Sequence, residues 1–215
     1  MTEIIYYRFK DLCIQGNLEK VKQFYFYNPT VDISAYDEGA FQLACAYGNL
    51  DVAKWLLEVK PDINISVNND FAFIISCENG QLNVAKWLLQ VKPDINISAD
   101  NEIAFRCACY YGHLKVAKWL LKVKPNLNIS ANNEIAFRCA CYYGHLKVAK
   151  WLLNVKPNLN ISAKFVFRYA CVNGHLKVAK LLLQHNTQNY YIFAKKNKIY
   201  NKKFYNKKQK IAKQI

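Results

Sequence analysis

No acidic residue follows Glu134 in this chain of 215 residues. All 15 Asp and Glu lie at or before that position, among 13 Lys and Arg, so residues 1–134 carry a net charge of −2. The other 81 residues hold 17 basic side chains, for a net charge of +17. Such asymmetry predicts a basic tail or face that meets a polyanion, and it says nothing about fold. Long apolar runs are missing too: none reaches the roughly 18 residues that a membrane span requires. The opening "MTEIIYYRFKDLC" mixes acids with its apolar residues and has no small-residue cleavage site, unlike a secretory leader. The expectation is an intracellular, non-secreted chain whose eight cysteines are reduced thiols.

Proline and glycine are scarce, with five and seven copies, and all five prolines and six of the glycines are placed by a clock. Glycine falls at 16, 48, 80, 112, 144 and 174, proline at 29, 61, 93, 125 and 157, and tryptophan at 55, 87, 119 and 151. Residues 101–130 recur at 133–162 with one difference, Lys122 against Asn154. Self-similarity at this period is the signature of a repeat array. The units are 1–34, 35–66, 67–98, 99–130, 131–162 and 163–185, followed by a basic Lys/Tyr/Asn-rich tail over 186–215. That tail is expected to be disordered or loosely helical.

Each unit reads as two short helices and an extended return. In "NEIAFRCACYYGHLKVAKWLLKVKPNLNIS", Ile103, Ala104, Cys107 and Ala108 fall at helical spacing and form an apolar stripe. Gly112 supplies the permissive backbone that ends a helix. Leu114, Val116, Ala117, Leu120 and Leu121 point inward on the second helix, with Lys115, Lys118 and Lys122 along its outer line. Pro125 stops that helix. "NLNIS" and the polar "ANNE" are expected to turn into the next unit. The fold class is an all-α repeat solenoid of about six helix-turn-helix units with short extended connections.

"GHLKVAKWLL", with "AFRCA" ahead of it and "DINIS" behind, resembles the ankyrin repeat over about 185 residues. The near-uniform 32-residue period and the Lys-Pro-Asp/Asn element are similar to the ankyrin proteins of giant amoeba-infecting DNA viruses, the mimivirus type. That resemblance implies a host cytoplasmic or nuclear setting. The usual Thr-Pro-Leu-His opening is replaced by Ile103-Ala104-Phe105-Arg106 and Ile135-Ala136-Phe137-Arg138, so the hydrogen bonds of that opening must be absent or replaced.

"CACYYGH", at Cys107–His113 and Cys139–His145, invites a zinc reading. Cys13, Cys45, Cys77, Cys109, Cys141 and Cys171 share one register, and equivalent positions of packed helices stand about 8–10 Å apart. Zinc–thiolate bonds of about 2.3 Å and disulfides with Cα atoms within about 7 Å cannot join them. Asn17, Asn49 and Gln81 occupy the histidine position in earlier units, where the resemblance implies a residue bracing the turn. These cysteines are expected to be small core residues, with no metal and no cofactor. No nucleophile elbow, phosphate loop or paired carboxylates suggest an enzyme.

The ankyrin resemblance implies a protein-interaction scaffold that presents a concave face. Arg106, Tyr110, Tyr111, Arg138, Tyr142, Tyr143 and Arg168 are the candidate partner-binding residues, being types that interfaces use as anchors. Glu102 and Glu134 stand four residues before two of these arginines, so helical ion pairing is the competing explanation. A polyanion, nucleic acid or acidic membrane, is the alternative ligand. For it the candidates are Lys195, Lys196, Lys198, Lys202, Lys203, Lys207, Lys208 and Lys210, interleaved with tyrosines that could stack on unpaired bases. The chain is expected to act as a monomer on a protein partner of unknown identity.

Overall fold

A computed structural model describes residues 2–157, 159 and 163–185. Those residues form six helix pairs. They are α1 (Thr2–Gln15) with α2 (Leu18–Tyr27), α3 (Ala35–Ala46) with α4 (Leu50–Val59), and α5 (Val67–Glu78) with α6 (Leu82–Val91). The array continues with α7 (Ala99–Tyr110) and α8 (Leu114–Val123), α9 (Ala131–Tyr142) and α10 (Leu146–Val155), and α11 (Ala163–Val172) and α12 (Leu176–His185). First helices start at 35, 67, 99, 131 and 163.

The core runs unbroken from Tyr6 to Leu182. In a middle unit it takes Ala104, Phe105, Ala108 and Cys109 from the first helix and Val116, Ala117 and Leu120 from the second. The buried stripe of the first helix is therefore rotated from the expected one, because Ile103 and Cys107 are only half-buried. Phe105 outranks them in apolar bulk and takes the interior position. Each tryptophan packs on the preceding unit: ring centroids lie 6.2 Å apart in Phe41–Trp87, Phe73–Trp119 and Phe105–Trp151. The tryptophan column is thus packing between repeats.

The "DINIS" returns contain no strand among the described residues. Ile63, Ile95 and Leu127 drop into the core. The Asn64, Asn96 and Asn128 side chains each accept the N–H of the serine two residues later at 3.1 Å, a local turn that asparagine favours. The following residues then take a left-handed turn at Tyr36–Glu38, Asn68–Asp70, Asp100–Glu102 and Asn132–Glu134, with φ between 46° and 66°. L-residues resist this conformation by roughly 1–2 kcal/mol each, Asn and Asp least. Apart from Tyr36, the first two positions are always Asn or Asp.

The third residue of that turn is a buried acid that offsets the strain. Glu38, Asp70 and Glu102 accept the backbone N–H of Asn64, Asn96 and Asn128 at 3.1–3.2 Å, 26 residues further along. Asp70 and Glu102 also accept from the Ser66 and Ser98 hydroxyls at 2.6 and 2.7 Å. The competing explanation of a helical ion pair does not hold for Glu102, which turns inward to Ser98 and Asn128 and not to Arg106.

Candidate protein-binding surface

First helices pack more closely on one another than second helices do. Alanine and cysteine line their contacts, whereas tryptophan and leucine hold the second helices apart. The first helices therefore form the inner layer of the array. Lys115, Lys118 and Lys122 on α8 are exposed on the outer side.

On the inner side the tyrosines of the last three units form one continuous ladder. Tyr111 contacts Tyr110 at 4.6 Å between ring centroids, Tyr110 contacts Tyr143 at 4.4 Å, Tyr143 contacts Tyr142 at 4.8 Å, and Tyr142 contacts Tyr169 at 5.4 Å. The Tyr110 and Tyr143 hydroxyls hydrogen-bond to each other across the repeat boundary. That bond raises the pKa of Tyr143 above the ordinary phenol value, and the nearby Glu78 carboxylate does the same for Tyr111. Tyr111, Tyr142, Tyr143 and Tyr169 remain 38–48% exposed, so the ladder is open to solvent.

The arginines flank this ladder unequally. Arg106 is half-buried, and its Nη2 donates to the Asp100 carbonyl at 2.8 Å. Its Nε is buried with no hydrogen-bond partner. Arg138 and Arg168 are exposed, and among the described residues neither pairs with a carboxylate.

Tyr169 was not legible as a site residue. It holds the register of Cys107 and Cys139, one place after the arginine, and not that of the pairs before the glycine. The signal available was the repeat alignment itself, which puts an aromatic where the two preceding units have cysteine.

The six cysteines in common register are buried core residues. Burial raises the thiol pKa values of Cys13, Cys45, Cys77, Cys109 and Cys141, that of Cys13 to about 12. Cys107 and Cys139 are half-buried on the inner face, and burial still pushes the Cys107 thiol up to about 11. The histidine position is a brace between repeats. Asn49 Nδ2 donates to the Cys13 and Ile14 carbonyls at 2.8 and 2.7 Å. Gln81, His113, His145 and His175 lie in the same way over the turn glycines of the units before them.

A family model described as ankyrin repeats (3 copies) matches residues 11–101 and again residues 105–195. The chain belongs to the ankyrin-repeat family. Repeats of this family serve in general as non-enzymatic protein-interaction modules. No curated protein matches the chain. Among the described residues of this ankyrin array, no helix is long and apolar enough to cross a membrane. Lys195, Lys196, Lys198, Lys202, Lys203, Lys207, Lys208 and Lys210 lie outside the described residues.

Proposed function

We propose that this ankyrin array is a non-enzymatic scaffold that binds a protein partner along the inner face of α7, α9 and α11. Arg106, Tyr110, Tyr111, Arg138, Tyr142, Tyr143 and Arg168 are the contact residues. The observation that carries this reading is the exposed tyrosine ladder, because clustered solvent-facing rings mark interaction surfaces and tyrosine anchors interfaces. The resemblance to giant-virus ankyrins supports a host-cell protein as that partner. The test replaces Arg106, Tyr110, Arg138 and Tyr142 together with alanine and measures binding of peptides selected on the full chain. Binding should disappear while helix content is unchanged. Unchanged binding would overturn the function, and loss of helix would overturn the assignment of these residues to the surface.

A second reading rests on the charge of residues 135–215, which carry 17 basic side chains and no acid. It makes the lysines from Lys195 to Lys210 a site for a polyanion. Its test is the salt dependence of oligonucleotide binding, which steepens with each phosphate neutralised. Replacing those eight lysines with glutamine should flatten the slope. An unchanged slope would rule the tail out.

A further inference from the structure

We infer that the inner face of the last three units selects an acidic peptide segment in extended conformation. This rests on the protein-binding reading above and adds the chemistry of the ligand. Arg138 and Arg168 are exposed on consecutive first helices, and among the described residues neither forms an ion pair with a carboxylate. Of the acids on α7 and α9, Glu102 accepts from Ser98 and Asn128 and not from an arginine. Glu102 and Glu134 are 7% and 6% exposed and point into the array, and α11 has no acid at all. An exposed guanidinium matches a carboxylate, which it can bind with two parallel hydrogen bonds.

Spacing sets the ligand's conformation. Packed helices stand about 8–10 Å apart, and an extended chain in the polyproline II form rises about 3.1 Å per residue with three residues per turn, so side chains three apart share a face. Carboxylates three residues apart on an extended segment would reach both arginines, whereas a helix at about 1.5 Å per residue would need six or seven.

The rings argue against nucleic acid at this face. Base binding needs open aromatic faces on which successive bases can stack. The tyrosines of the ladder instead lean on one another at interplanar angles of 48–66°, each covering part of its neighbour. Rings tilted against one another in this way suit the backbone and side chains of a peptide better than a run of stacked bases.

The experiment selects a display library of random twelve-residue peptides on the full chain at about 0.15 M salt, and titrates the enriched peptides against four proteins. These are the unmodified chain, Arg138→Gln, Arg168→Gln and Tyr142→Ala. The basic tail is the same in all four, so any difference belongs to the inner face. Enriched peptides should carry Asp or Glu at intervals of three, and each variant should weaken them about tenfold. Neutral or basic peptides that still require Tyr142 would overturn the acidic ligand and leave the protein-binding face standing. Failure to enrich, or binding indifferent to Tyr142→Ala, would overturn both. Displacement of the peptides by a twelve-nucleotide oligothymidylate that binds the same face more tightly would show a nucleic-acid site and overturn the inference.

Discussion

Glu102 Oε1 accepts the backbone N–H of Asn128 at 3.2 Å, so an acid at the entrance of one first helix holds the loop that leads to the next. The same bond joins Glu38 to Asn64 and Asp70 to Asn96, which makes it a structural unit of the array and not a local accident. Glu102→Ala leaves that N–H and the Ser98 hydroxyl without their acceptor. An unsatisfied buried polar group costs about 1–3 kcal/mol. Urea unfolding should show a loss in that range, and a loss below about 0.5 kcal/mol would contradict the anchoring role.

The turn glycines separate two effects that usually act together. Gly80 and Gly174 share φ = +76°, but a Cβ built on Gly80 would meet His113 Nδ1 at 2.5 Å, whereas one on Gly174 meets nothing within 4 Å. Gly174→Ala should therefore show the backbone penalty alone, about 1–2 kcal/mol. Gly80→Ala adds displacement of the brace and should be clearly more destabilising in thermal unfolding. Equal losses would mean that His113 is not packed against the turn.

His113 also sets a pH dependence. Burial holds its pKa below the ordinary value of 6.5 in the folded chain. The unfolded state then binds more protons as pH falls past 6.5, so stability is full above that pH and declines below it. His113→Asn keeps a brace of the kind Asn49 provides and removes the proton. The decline in thermal midpoint between about pH 6.5 and pH 5 should be smaller in that variant than in the unmodified chain. An identical decline would place the titrating group elsewhere.

Thiol accessibility tests the core assignment. Six cysteines are buried, and Cys107 and Cys139 are half-buried with raised pKa values. A maleimide at neutral pH should label Cys107 and Cys139 slowly in the folded chain, and all eight only in denaturant, as read by mass spectrometry. Rapid labelling of Cys45, Cys77, Cys109 or Cys141 would show that the core is open.

The repeat was legible because its punctuation is chemical. Gly112 is needed where the backbone takes φ = +83°, and Pro125 where a helix must stop, so their spacing carried the unit boundaries. The entrance to the first helices was not legible. "ANNE" reads as a polar linker, and only the structure shows Asn132 and Asn133 in left-handed conformation with Glu134 turned into the core. A helical stripe also has no absolute phase. Ile103 and Cys107 fit the period as well as Phe105 and Cys109, and the larger ring decided which pair was buried. At the surface, the register of Tyr110 and Tyr142 was visible, but their contacts with Tyr143 and Tyr169 depend on neighbouring repeats meeting in space.

The most direct test of an inner binding face compares two substitutions of equal charge on opposite sides of one unit. Arg138 lies on α9 beside the ladder, and Lys150 lies exposed on α10 among the outer lysines. Dissociation constants of peptides selected on the full chain should weaken about tenfold in Arg138→Gln and change less than about twofold in Lys150→Gln. Equal losses in the two variants would show that the ligand answers to overall positive charge and would contradict a specific inner face.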